Sequence, residues 1–118
     1  MEKAIPVNTD SRKFFRQYLA LVNPLYKLRG KEMDVMAELL YHNNKWKDID
    51  SENRWRLIFD YDTKTEIRTK LGITDATFNN NLTALRKKGI IVSNKVIDGV
   101  LLYPDSNNYS LTFNFNIK

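Results

Sequence analysis

The chain contains 118 residues, of which 42% are hydrophobic, and it contains no cysteine. A chain of this size forms one domain that buries roughly 65% of its unfolded surface, and the missing cysteines exclude disulfides and thiolate metal sites. No apolar run approaches the ~20 residues of a membrane span, and the N-terminus lacks the apolar core of a signal peptide, so we expect a cytoplasmic protein without membrane association.

The net charge of +5 is unevenly distributed along the chain. Residues 48–66 carry three basic and six acidic side chains, whereas residues 67–97 carry six basic side chains and Asp75 alone. A concentrated positive charge attracts polyanions, so the second of these segments is where nucleic acid would bind. The alternative is that the chain is one of many mildly basic small domains.

The first elements in chain order are a loose arm over residues 1–9, where Pro6 prevents an early helix, and a helix over 10–22. Asp10 or Ser11 can cap this helix, and Asn23-Pro24 is predicted to end it. Its apolar arc consists of Phe14, Phe15, Tyr18, Leu19, Leu21 and Val22. This terminal helix is therefore amphipathic.

A core helix is predicted over 31–43, with apolar residues on two faces. Such a helix lies between other helices, here the N-terminal helix and the two helices predicted over 63–88. The only histidine, His42, falls near its end, where we expect it to be solvated or to bind a carbonyl group. A short helix then follows from Asp50 or Ser51 to about Phe59, with an apolar inner side.

Residues 63–88 are predicted to form two helices joined by a tight turn. Thr63 and Glu66 have the spacing of a capping box at the start of the first helix, and Gly72 is suited to its end. Thr74 can cap the second helix. One stripe of this helix is apolar, consisting of Phe78, Leu82 and Leu85.

The pattern changes to a period of two over residues 90–117. A hairpin is predicted with strands at 90–97 and 100–103 around an Asp98-Gly99 turn. A loop over 104–108 and a one-sided strand over 109–117 follow. The predicted fold is α+β, a single domain over 1–118 with three to five helices and a small C-terminal antiparallel sheet.

The segment LGITDATFNNNLTALRKKGII (71–91) is similar to the recognition-helix pattern of winged helix-turn-helix proteins, of the bacterial and phage transcription-regulator type. The segment KEMDVMAELL (31–40) resembles the first helix of the same module. The resemblance covers about residues 31–103 and implies binding to double-stranded DNA, with the second helix of the pair in the major groove. It also implies that the additional N-terminal helix either packs on its own domain or forms a homodimer contact.

The resemblance assigns roles residue by residue. Asn79 and Asn80 are expected to read bases, since an asparagine amide can bind adenine through two hydrogen bonds. Asp75 and Ala76 share the groove-facing start of this helix, and Arg86 and Lys88 extend the basic surface at its end. The complete set of expected DNA-binding residues is Lys64, Arg68, Thr74, Thr77, Asn79, Asn80, Thr83, Lys87 and Lys95.

A second hypothesis is a winged helix that contacts protein, as a component of a phage particle or a replication assembly. The first half of the recognition helix has no arginine, Asp75 would repel phosphate, and neither predicted hairpin loop is basic. Asparagine occurs 13 times, as AT-rich genomes tend to encode, so phages and AT-rich bacteria are natural sources. The expected location is then the bacterial or phage-infected cytoplasm, or the virion.

Catalysis is not expected from this sequence. It contains one histidine and none of the motifs G-x-S-x-G, phosphate-binding loop or H-E-x-x-H. Asp48, Asp50 and Glu52 do not match a calcium loop, and an acidic helix N-terminus explains them more simply. We therefore expect a non-enzymatic protein without cofactor or metal.

Overall fold

Five α-helices precede a small sheet in a computed structural model that describes residues 6–104 and 109–117. The order of elements is α1 (Phe14–Tyr26), α2 (Gly30–Lys45), α3 (Ser51–Ile58), α4 (Tyr61–Leu71), α5 (Asp75–Lys87), β1 (Ile91–Val92), β2 (Lys95–Val96) and a 3₁₀ turn (Asp98–Val100). The two strands pair antiparallel. The predicted α+β class is therefore confirmed for this part of the chain.

Helix α2 lies at the centre of the fold and contacts α1, α3, α4 and α5. Val35, Met36, Leu39 and Leu40 are buried, which places apolar side chains on both sides of this helix. The prediction of a core helix between α1 and the later helices is confirmed. Because α2 is held from several directions, it fixes the positions of α4 and α5 relative to the rest of the domain.

The expectation that His42 is solvated was wrong, although this residue does lie near the end of α2. The imidazole is fully buried, and the rings of Tyr41 and Trp46 pack against it. Its Nδ1 atom lies 2.8 Å from the carbonyl oxygen of Glu38, as the alternative of a carbonyl contact predicted. His42 is thus part of the interior.

Helix α1 differs from its predicted limits of 10–22 at both ends. The Asp10 carboxylate accepts hydrogen bonds from the amides of Arg12 (2.9 Å) and Lys13 (2.7 Å), and regular helix starts at Phe14. The helix continues through Pro24 to Tyr26, so the predicted end at residue 22 was wrong. Pro24 lies in the last turn on the exposed side, where water can bind the carbonyl group that loses its N–H partner.

Helix α4 begins two residues before the predicted start at Thr63. Asp60 is its N-cap, and the Asp60 side chain accepts from the amide of Asp62 at 2.6 Å. Thr63 is consequently inside the helix and buried, so the predicted Thr63–Glu66 capping box was wrong. Helix α3 starts where predicted, at Ser51, and the Asp50 side chain caps it by accepting from the amide of Asn53.

The junction between α4 and α5 follows the local sequence signals. Gly72 ends α4 with a φ of 65°, a conformation that glycine adopts at little cost. Thr74 caps α5, and its Oγ1 accepts from the amide of Thr77 at 3.1 Å. Both predictions are confirmed, as is the buried stripe of α5, which consists of Phe78, Leu82 and Leu85.

The hairpin turns at Ser93-Asn94, so the predicted turn at Asp98-Gly99 was wrong. Ser93 and Asn94 both have positive φ values (53° and 56°), as tight primed hairpin turns require. Residues Ile91 and Val96 are paired and buried. The segment Asp98–Val100 instead forms the 3₁₀ turn, which buries Val100. Burial of apolar side chains selects between two turn sequences that are both locally favourable.

The strand predicted over 109–117 was also wrong, because no strand is formed there in the structure as described. Leu111 is half-buried against the core, whereas Phe115 and Ile117 are 84% and 93% exposed. The alternating pattern specifies a one-sided strand but not a neighbour for it. Residues 1–5 of the predicted arm and 105–108 of the predicted loop lie outside the described residues.

Candidate nucleic-acid interface

Helix α5 has one packed face and one open face. Phe78, Leu82 and Leu85 attach it to the core through contacts with α2 and β1. Asn79 and Asn80 lie on the exposed side, and so do Thr83 and Lys87. Four of the nine predicted DNA-binding residues are therefore brought together on one side of one helix.

The amide side chains of Asn79 and Asn80 make no hydrogen bond to any of residues 6–104 or 109–117. The neighbouring Asn81 differs, because its Nδ2 donates to the carbonyl oxygen of Thr77 at 2.9 Å. The Thr83 hydroxyl likewise donates to the carbonyl oxygen of Asn79 at 3.0 Å. Two of the three consecutive asparagines are thus free to bind an external donor and acceptor.

Thr74 and Thr77 form the N-terminal turn of α5. The Thr74 hydroxyl donates to Oγ1 of Thr77 at 3.0 Å while it accepts from the Thr77 amide. Thr74 therefore has a structural role as a cap, and its hydroxyl proton is already used within the turn. Thr77 remains half-buried beside it.

Arg68 links α4 to the start of α5. Its Nη2 donates to Oγ1 of Thr65 at 3.0 Å, and its Nε lies 3.7 Å from an Asp75 carboxylate oxygen. The Arg68 side chain is only 21% exposed, whereas that of Asp75 is 71% exposed. The sequence predicts that Arg68 contacts phosphate and that Asp75 repels it. In the structure the two side chains form an ion pair with each other.

Two other cations of the basic segment are also neutralised by carboxylates. Lys70 pairs with the buried Glu38, and Lys88 pairs with the buried Glu32. Glu38 also binds Arg12 Nη2 at 3.1 Å. Of the six basic residues between 67 and 97, Arg86, Lys87 and Lys95 have no carboxylate within ion-pair distance in the part of the chain that the structure describes. The positive surface is therefore smaller than the residue count suggests.

Lys64 and Lys95 lie outside the open face of α5. Lys64 is half-buried on α4. Lys95 is exposed on β2, and it lines a shallow groove with Trp55 and Asp98 and a second groove with Glu52. Lys95 therefore lies next to α3. Each of the two grooves that it lines also contains an acidic side chain, Asp98 in the first and Glu52 in the second.

The buried carboxylates Glu32 and Glu38 were not singled out from the sequence. Both lie on α2 among apolar neighbours, and their cations come from α4 and from the residue after α5. Burial of Glu32 opposes its ionisation, but the Lys88 ammonium and the Arg29 amide outweigh that cost and hold the pKa of Glu32 below its ordinary value of 4.5. Glu32 thus helps to hold the end of α5 against α2.

We expect the Glu32→Gln variant to lose less stability on acidification than the unmodified protein. A lowered folded-state pKa contributes stability that is complete above the unfolded pKa and is lost as pH falls through the folded value. The free energy of unfolding, measured with urea at pH 7 and at pH 3, should therefore fall less in Glu32→Gln. Part of the acid loss will persist, because hydrogen bonds also lower the pKa values of Asp10 and Asp50.

The matched control for this comparison is Glu52→Gln. Glu52 pairs with Arg56 at 3.0 Å on the surface, where both side chains are about 70% exposed. Exposed pairs of this type contribute little to stability. Equal acid sensitivity of the Glu32 and Glu52 variants would contradict a stabilising role for the Glu32–Lys88 pair.

Residues 6–104 and 109–117 contain no cluster of three histidine, aspartate or glutamate side chains that could hold a metal ion. Among the same residues, no helix combines the length and apolar character needed to cross a membrane. Comparisons of the chain with protein-family models, with curated proteins and with solved structures returned no match.

Proposed function

We propose that this chain is a winged helix-turn-helix protein that binds double-stranded DNA without catalysis, as a transcriptional or phage-encoded regulator. In this proposal α2, α4 and α5 are the three helices of the module, α5 is the recognition helix and the β1–β2 hairpin is the wing. The short turn between α4 and α5 supports this assignment of the helices. Gly72 ends α4 and Thr74 caps α5. The hairpin follows α5 after only a few residues.

The open face of α5 is the observation that carries the proposal. An α-helix with its side chains is about 10–12 Å wide, and the major groove of B-DNA is about 12 Å wide. The unpaired amides of Asn79 and Asn80 offer a donor and an acceptor side by side, as adenine requires. The buried stripe of α5 fixes the orientation of the helix, and so the side of the domain on which these two asparagines lie.

Phosphate contacts supply most of the affinity in such complexes. Lys87 and Arg86, at the end of α5, are exposed and are not neutralised by a carboxylate of the described residues. Arg68 can contribute only if its pair with the exposed Asp75 opens. Lys64 and Lys95 then remain peripheral contacts, on α4 and on the wing.

We expect Lys87→Ala to weaken binding to all duplexes and to lower the slope of log K against log salt by about 0.9, since one phosphate contact is lost. The control is Lys13→Ala, which removes the same charge from an exposed position in the turn before α1. Both variants and the unmodified protein should be titrated into one duplex over a series of salt concentrations. An unchanged slope for Lys87→Ala, or equal changes in both variants, would remove Lys87 from the interface.

A further inference from the structure

The segment 109–117 is an apolar strand sequence without a neighbouring strand in the described structure. Apolar and polar side chains alternate strictly along it, so that Tyr109, Leu111, Phe113, Phe115 and Ile117 share one side of an extended chain. Tyr109, Phe113, Phe115 and Ile117 are 41%, 49%, 84% and 93% exposed. A segment of this composition with no strand beside it in the described residues is suited to add to another strand.

Helix α1 exposes a second apolar surface beside this segment. Phe14, Tyr18, Leu21 and Leu25 lie on one stripe of the helix by their spacing. The Tyr109 ring packs edge-on against Phe14, with the ring centroids 5.7 Å apart. Farther along the stripe Leu21 and Leu25 are 64% and 76% exposed. The segment thus begins on a helix whose apolar stripe is only half covered.

We propose that residues 109–117 pair antiparallel with the same residues of a second copy of this chain, around a two-fold axis at Phe113. Tyr109 is then opposite Ile117 of the partner, Leu111 is opposite Phe115, and Phe113 is opposite its own copy. The shared apolar side of the two-stranded ribbon covers the α1 stripes of both copies. This assigns a homodimer interface in which the C-terminal segment and α1 act together.

The alternation of the segment makes it complementary to a second copy of itself. Directly opposite residues of an antiparallel pair lie on the same side of the sheet. A two-fold axis through a residue pairs odd positions with odd positions, so every apolar side chain meets an apolar one. An axis at Phe113 uses the whole segment.

Charge and backbone also favour this pairing. The segment contains no charged residue, so its two copies do not repel each other despite the net charge of +5 on each chain. Antiparallel pairing also gives hydrogen-bond partners to the backbone N–H and C=O groups that face the other copy. A two-stranded ribbon is marginally stable alone, which is why its packing on α1 is part of the proposal.

The first test compares Phe115→Lys with Asn116→Lys by sedimentation equilibrium of the full chain. Because Phe115 is 84% exposed in the monomer, its replacement should leave the thermal unfolding of the monomer unchanged. It removes two buried rings from each dimer, and we expect the dimer dissociation constant to rise roughly a hundredfold. Asn116→Lys adds the same charge on the polar side and should change this constant much less.

The second test is the register of the pair. Since the chain has no cysteine, a single Phe113→Cys substitution provides one thiol per copy. Directly opposite Cβ atoms lie about 4.5–5.5 Å apart, close enough for a disulfide after a small shift. Ser110→Cys is the control, because its two copies would lie about 20 Å apart along the ribbon.

Mild oxidation should link Phe113→Cys into a covalent dimer and leave Ser110→Cys monomeric on a denaturing gel. An unmodified protein that stays monomeric at all concentrations would overturn the proposal. Equal cross-linking of the two cysteine variants, or equal effects of the two lysine substitutions, would also overturn it. These measurements contain no DNA, so their outcome is independent of the proposed function.

Discussion

Replacing Leu82 with alanine is expected to lower the free energy of unfolding by about 3 kcal/mol, within the range of roughly 2–5 kcal/mol for buried leucines. Leu82 is 1% exposed and lies between Phe78 and Leu85 in the stripe that attaches α5 to the core. The variant loses the buried side chain and leaves a cavity that the surrounding helices fill only in part. Urea unfolding at neutral pH measures the difference.

The control is Leu57→Ala, which removes the same atoms from a side chain that is 37% exposed on α3. Its cost should be less than half that of Leu82→Ala, because less apolar surface is lost and solvent fills the space. Equal costs at the two positions would mean that α5 is not held by this stripe. The fixed direction of its open face would then have no structural basis.

The second large effect concerns base recognition by α5. Asn80→Ala should reduce the preference for the specific duplex over a scrambled duplex by about 1–3 kcal/mol, the value of one good two-bond contact. Affinity for the scrambled duplex should hardly change, because Asn80 is uncharged and makes no phosphate contact in the proposal. Competition titrations at constant salt give both quantities.

Asn81→Ala is the matched control within the same run of asparagines. The Asn81 amide already donates to the Thr77 carbonyl oxygen and is half-buried, so it does not face the groove in the proposal. Its replacement should leave the preference between duplexes intact. If Asn80→Ala weakens specific and scrambled duplexes equally, Asn80 does not read a base.

Local signals predicted the junction between α4 and α5 and the buried stripe of α5, although not the start of α4. Gly72 and Thr74 set the limits of two helices because a left-handed residue and a capping hydroxyl act within a few residues. The stripe of α5 was predictable because helical periodicity alone determines which side chains share a face. These features needed no knowledge of distant parts of the chain.

Elements that depend on distant residues were predicted less well. Ser93-Asn94 and Asp98-Gly99 can both form turns, and the choice between them follows from which apolar residues reach the core. The strand predicted over 109–117 was wrong for the same reason. Alternation identifies which side of the segment is apolar, but not which strand it would pair with. The local signal of Asn23-Pro24 predicts a helix end, but the exposed position of Pro24 allows α1 to continue to Tyr26.

The electrostatics of the site could not be predicted from charge counts. Lys70 and Glu38 are 32 residues apart in sequence, and Lys88 and Glu32 are 56 apart, yet each pair is in contact. In these pairs the lysine charges are neutralised by buried carboxylates of α2, so they add less to the basic surface than their number suggests. The open face of α5, with Asn79, Asn80, Thr83 and Lys87, is a less charged surface than the count of basic residues suggests.

Selection from a mixed-sequence duplex library at near-physiological salt tests the central proposal most directly. The purified protein is titrated into the library, and the retained duplexes are sequenced. If α5 reads bases, one motif should be enriched, and Asn80→Ala should weaken that enrichment. Retention without any motif, at the roughly 10⁻⁴–10⁻⁶ M affinity of nonspecific binding and lost on adding salt, would contradict it and favour the open face of α5 as a protein contact.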